Sequence, residues 1–154
     1  MTLEQLFAGR GVDIPSVLKR LEKTAAECGL PFGRRTHTYN SRRAQELGKW
    51  AESLNKGEEF HMAAFRAYFV DGKNIAELPV LKEIIRSIGL DEKKVEEILA
   101  GGVFKEEVDS DWSCSRRNEV MAVPTFMARG RRLVGAQSYE ALEKLIGGGA
   151  IFPG

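Results

Sequence analysis

Cysteine and histidine are scarce in this sequence. Its 154 residues hold two cysteines, Cys28 and Cys114, and two histidines, His37 and His61. The cysteines stand far apart and form no Cys-x-x-Cys pair. Structural zinc sites show paired, closely spaced ligands, so these four scattered residues make a poor metal set; neither a metal nor another cofactor is expected. An excess of one charge is also missing. A formal net charge of +1 argues against a general polyanion binder, and no nucleic-acid partner is expected. No apolar run approaches membrane-spanning length, so no membrane association is expected. The opening residues Met1 to Leu6 have neither a basic region nor an apolar one and do not read as a signal peptide, which makes the cytoplasm the default compartment. Disulfides are rare there, so both cysteines are expected as free thiols, at least one of them buried.

What is present is mostly helical pattern. The length suits one domain, 1–154, with a helical region over 14–120 and a different unit over 121–146. Asp13 and Pro15 open a helix on which Val17, Leu18, Leu21, Ala25 and Cys28 recur at helical spacing, and Gly29 ends it. Cys28 falls on its last turn, on the apolar face, which points to core packing. Asn40 or Ser41 caps the next helix, whose stripe is Ala44, Leu47, Ala51 and Leu54 with Trp50 flanking; Gly57 breaks it. Further helices carry Phe60, Ala63, Ala64, Ala67 and Tyr68, then Val80, Leu81, Ile84, Ile85 and Ile88, then Val95, Ile98 and Leu99. Residues 104–120 suit a longer, more polar helix with Cys114. After Val120 the period changes. Val123 to Ala128 reads as a strand, Arg129-Gly130 as a tight turn and Arg131 to Val134 as a second strand. Ser138 caps a last helix with Tyr139, Leu142, Leu145 and Ile146 apolar, closed by Gly147 to Gly149, and 150–154 reads as a loose tail. Arg34, Arg35, Arg42 and Arg43 form a basic cluster, which a solvated face explains better than an anion site.

The informative stretch is 121–146. A proline suits a strand only at an edge, a first position or a bulge, and an X-Pro bond adopts the cis form at modest cost. Val123-Pro124-Thr125, followed by Phe126, a hairpin, Gly135-Ala136-Gln137 and an amphipathic helix, resembles the C-terminal β-β-α unit of thioredoxin-fold proteins. The run Gly135 to Leu142 is similar to the FrnE-like branch of the DsbA family. Upstream, 14–32 resembles the helix which that family places before its helical insertion. Asn40 to Ala44 resembles its Asn-Thr-x-x-Ala helix start, and 58–104 resembles the insertion itself, with the Ile75 to Leu81 bridge and the Gly89-Leu90-Asp91 joint. The resemblance covers roughly 14–146 and rests on the order of these pieces. It implies an α/β, thioredoxin-like fold, incomplete here: a mostly helical insertion plus a C-terminal β-β-α unit.

The resemblance also implies thiol–disulfide oxidoreductase or isomerase activity, with Val123, Pro124 and Thr125 as the cis-proline loop. In the family the backbone before that proline pairs with the bound thiol or peptide substrate. Pro124 shaping only the strand entry is an equally good account, and Gln137 and Tyr139 then serve as cap and core. Family members begin with a strand, a Cys-x-x-Cys helix and a second strand, and residues 1–13 are too short for that unit. The chain alone is therefore not expected to be catalytic. Cys28 sits at a helix C-terminus, where the dipole disfavours an anion. Cys114, with Arg116 and Arg117 near in sequence, is the better candidate nucleophile, though an inert thiol is the stronger account. A lone hairpin needs more strands, and the open edge of 123–128 invites pairing. The expectation is a homodimer, or assembly with a chain bearing the missing β-α-β unit. Two alternatives stand beside it: a non-redox module that binds peptide by strand addition, and a relative of the glutathione-dependent 2-hydroxychromene-2-carboxylate isomerases.

Overall fold

The computed structural model describes residues 1–148. Gly149 and the expected loose tail, 150–154, lie outside the described residues. The chain forms two compact units, Met1–Val108 and Asp109–Gly154.

The first unit is helical: α1 (Leu3–Leu6), α2 (Ile14–Glu27), α3 (Arg42–Ser53), α4 (Gly57–Phe65), a π-helical turn (Arg66–Val70), α5 (Leu78–Ser87), α6 (Lys94–Gly101) and the start of α7 (Lys105–Arg117). Local chemistry sets the helix starts. Thr2 Oγ1 accepts from the Gln5 N–H at 3.2 Å while Gln5 Oε1 accepts from the Thr2 N–H at 2.9 Å, a reciprocal capping box. Asn40 Oδ1 accepts from the Arg42 N–H at 2.9 Å ahead of α3, and Asp91 Oδ1 from the Lys93 N–H at 3.0 Å ahead of α6. Gly102, at φ +60°, closes α6 in the left-handed conformation that suits glycine.

The core lies where α3, α4, the π turn, α5 and α6 meet, around Leu47, Ala51, Phe60, Leu81, Ile84, Ile85 and Val95. At Gly48 α3 packs against the Phe60 ring of α4, where a β-carbon would stand 3.4 Å from the ring, in ordinary contact. Gly33 has a stricter role. Its N–H donates to the Phe69 carbonyl at 2.8 Å, and a β-carbon would lie 2.0 Å from the Val70 carbonyl oxygen. Because that neighbour is backbone, Gly33→Ala is expected to destabilise the chain by about 1–3 kcal/mol. Urea denaturation measures this, and an unchanged midpoint would contradict the packing described.

Several expectations need correcting. Cys28 is exposed, as is Cys114. No residue of α2 is buried, so its apolar stripe is only partly covered among the described residues. Trp50 is buried within α3, while Leu54, the residue after that helix, is exposed. Gly57 begins α4 instead of breaking α3; the break falls at Asn55, at φ +57°.

The second unit holds the rest of α7, strand β1 (Thr125–Ala128), strand β2 (Arg131–Val134) and helix α8 (Tyr139–Gly147). The strands pair antiparallel, Thr125 opposite Val134 through Ala128 opposite Arg131. The two-residue turn has φ +51° at Arg129 and +72° at Gly130, the left-handed pair a type I′ hairpin turn requires. The first strand begins at Thr125, two residues later than expected. Ser138 Oγ caps α8 by accepting from the Ala141 N–H at 3.3 Å. The Glu140 carboxyl is held below the ordinary glutamate range by its own backbone N–H, together with the Ser138 side chain. Leu145 alone in α8 is buried; Tyr139 and Ile146, expected on its apolar side, are exposed.

Candidate functional site

The Val123–Pro124 peptide bond is cis. Two hydrogen bonds fix the backbone around it. Thr125 Oγ1 donates to the Ala122 carbonyl at 2.6 Å, and the Pro124 carbonyl accepts from the Gly135 N–H at 2.8 Å. Between these tethers Val123 makes no hydrogen bond among the described residues, and its side chain is 86% exposed. The loop therefore presents a fixed backbone with a free donor and a free acceptor just before the proline.

Hairpin register extends this open backbone. A two-residue turn makes Ala128 and Arg131 a hydrogen-bonded pair, and such pairs alternate with non-bonded ones along an antiparallel ladder. Thr125 and Met127 therefore turn their N–H and C=O groups away from β2. The sheet has two strands among the described residues, so that edge of β1 has no strand against it.

Two arginines that sequence reasoning did not single out hold the hairpin in place. Successive residues of β2 point to opposite faces. Arg131 Nη2 donates to the Leu145 carbonyl at 2.6 Å and to Lys144 at 3.2 Å, near the C-terminus of α8. Arg132 Nη1 donates to the Glu119 carbonyl at 3.0 Å and its Nη2 to Asn118 at 3.1 Å, just past α7. Arg131 thus bonds carbonyls of the last turn of α8, one of which (Lys144) also accepts from the Gly148 N–H, and Arg132 bonds carbonyls just beyond α7; each positive charge suits that end of its helix dipole. Their adjacency at the start of a strand was the available signal.

The two cysteines belong to different units. Cys28 follows α2 in the first unit; Cys114 lies on α7 in the second. Asn118 Nδ2 donates to the Cys114 carbonyl at 2.9 Å and stands 3.4 Å from its Sγ. Among the described residues no group of His, Cys, Asp and Glu side chains gathers as metal ligands do. Three arginines of the basic cluster have local partners, Arg43 through the Ala76 carbonyl at 3.5 Å. Arg35 stacks over Tyr68 and Phe69 at 4.7 and 4.9 Å, and Arg42 pairs with the buried Glu46 at 2.7 Å. Gln137 Nε2 donates to the Val134 carbonyl at 2.9 Å, fixing the bend after the hairpin. No helix among the described residues is long and apolar enough to cross a membrane.

A cis-proline loop, an antiparallel hairpin, a closing helix and a separate helical unit define a thioredoxin fold of the DsbA-like type. The chain belongs to the DSBA-like thioredoxin domain family, whose model matches residues 10–147. In structure it is similar to a probable DsbA oxidoreductase of Streptomyces coelicolor. The TM-score is 0.80 at 25% sequence identity, over 93% of this chain and 64% of that one. In sequence it is 26% identical, over 132 residues, to the uncharacterized protein YwbO of Bacillus subtilis strain 168, covering 85% of this chain and 65% of that protein. The chain thus spans just under two thirds of the length of both.

Proposed function

We propose that this chain carries the cis-proline half of a FrnE-type thiol–disulfide oxidoreductase or isomerase. In this reading it presents substrate to a Cys-x-x-Cys unit that residues 1–154 do not contain. The observation that carries the proposal is the tethered, open backbone at Val123 on a cis-proline loop of this family. A thiolate of that unit attacks one sulfur of a substrate disulfide and expels the other as a thiolate, giving a mixed disulfide. The second cysteine attacks the mixed disulfide, releasing reduced substrate and leaving the pair oxidised. Val123 holds the substrate strand through its N–H and C=O, while Pro124 and Thr125 keep that backbone in place. Cys114 takes no part. In an insulin-reduction assay with dithiothreitol the chain alone is expected to match buffer, and Cys114→Ser to match the parent chain. Acceleration by the chain that Cys114→Ser removes would assign the chemistry to Cys114 instead.

The open edge of β1 supports a second element of the proposal: assembly, with a complementing β-α-β unit or, without one, with a second copy of this chain as a homodimer. Light scattering of the chain alone at micromolar concentration is expected to give the dimer mass. A monomer mass would rule out the homodimer.

A further inference from the structure

We infer that the helical unit binds a small apolar carboxylate in a groove remote in sequence from the cis-proline loop. The groove is an open hollow of about 640 Å³, within the range of small-molecule sites. Leu30, Phe32, Met62, Phe65 and Phe69 provide its apolar lining, and Arg66 is the one charged residue on its wall. Three of these side chains are more exposed than their chemistry favours: Leu30 at 62%, Met62 at 63% and Phe65 at 56%.

The site is built by a rare backbone feature. Residues 66–70 form a π-helical turn closed by the Asp71 N–H on the Arg66 carbonyl at 3.0 Å. Such turns are uncommon and concentrate at functional sites. The Phe69 carbonyl, in the last turn of this segment, accepts from the Gly33 N–H at 2.8 Å, which holds the Leu30 to Gly33 segment against Phe69. Phe32 and Phe69 then stack with centroids 6.4 Å apart, and Phe65 lies 6.0 Å from Phe69. The groove is thus formed by a glycine without room for a β-carbon and a turn with an extra residue.

Charge selects the occupant. The Arg66 guanidinium has no hydrogen-bond or ion-pair partner among the described residues, although eight other Lys, Arg and His side chains pair with carboxylates in this unit (Lys23, Arg42, Lys49, Lys56, His61, Lys73, Lys82 and Arg86). An anion beside an apolar body meets both features: the carboxylate on the guanidinium fork and the chain or ring on the phenylalanines. A neutral apolar molecule leaves Arg66 unused, and a free anion leaves the aromatic wall uncovered.

Calorimetric titration of the full chain with decanoate, below the concentration at which it aggregates, tests this. One saturable site is expected, with a Kd between about 10 μM and 1 mM. Arg66→Gln is expected to weaken binding about tenfold, and 1-decanol to bind more weakly than decanoate to the parent chain. Phe65→Glu, which sets a carboxylate in the groove, is expected to abolish binding. Both substituted residues are exposed, and circular dichroism checks that the fold persists; Met62→Glu replaces either variant that loses helical signal. Absence of saturable heat, unchanged affinity in Arg66→Gln, or decanol binding as tightly as decanoate overturns the inference. Sedimentation of the parent chain and Phe65→Glu supplies a further outcome: a dimer lost only in the variant would show that a second copy fills the groove, and would also overturn it. The binding outcomes leave the redox reading untouched, because that reading rests on the cis-proline loop of the other unit; the dimer outcome bears only on the homodimer proposed along β1.

Discussion

Phe60→Ala is expected to lower the stability of the helical unit by about 3–5 kcal/mol, the usual cost of emptying a buried phenylalanine site. Phe60 is 2% exposed and occupies the centre of the α3–α4 contact, against Gly48. The loss combines transfer free energy with a cavity that its neighbours fill only partly. Those neighbours are short or rigid: Gly48 has no side chain, and Leu47 and Ala51 are fixed on the buried face of α3. Total stabilities of domains this size run to about 5–15 kcal/mol, so the variant is expected to be partly unfolded at physiological temperature. Urea denaturation followed by far-ultraviolet circular dichroism measures the loss; a change below about 1 kcal/mol would mean that the helices do not pack as described.

The second large effect concerns exchange by the complemented protein. Adding the strand, Cys-x-x-Cys helix and strand of a DsbA-family relative is expected to raise insulin reduction at least about tenfold over either part alone. An ordinary cysteine is only a few per cent thiolate at neutral pH. A Cys-x-x-Cys thiol of lowered pKa is mostly ionised, with part of that gain offset by lower nucleophilicity. The gain depends on assembly along β1. Met127→Pro removes a backbone N–H that the register turns toward the open edge, leaving the bonds to β2 in place. It is expected to abolish the complemented activity while circular dichroism of the chain alone stays unchanged. Full activity in Met127→Pro would place the assembly elsewhere.

Much of this architecture was legible because local chemistry encodes it. Ser138 caps α8 as expected, and Arg129-Gly130 forms the tight turn between two strands, whereas Asn40 and Asp91 bond the backbone just ahead of α3 and α6, whose N-cap positions fall at Ser41 and Lys93. Pro124, followed by a hairpin and Gly135-Ala136-Gln137, marked the loop and the fold family. Burial was harder to read. Periodicity identifies an apolar face but not what covers it: the stripe of α2 and the positions Tyr139 and Ile146 follow the pattern yet remain exposed. Gly57 shows the same limit in another form, since glycine near a boundary starts helices as well as ending them. The π turn follows no pattern read from the sequence, whose periodicity over 60–68 predicts one regular helix. The arginine contacts of Arg131 and Arg132 were equally hidden, because their acceptors are backbone carbonyls about a dozen residues away in sequence.

The division of labour at the centre of this account is tested most directly by one comparison: initial rates of insulin reduction for the chain alone, for a Cys-x-x-Cys-bearing β-α-β unit alone, and for the two mixed at equal concentration. The account predicts buffer-level reduction by the chain, weak reduction by the unit, and a mixed rate well above their sum. A mixed rate equal to that sum, or full activity in the chain by itself, would contradict it.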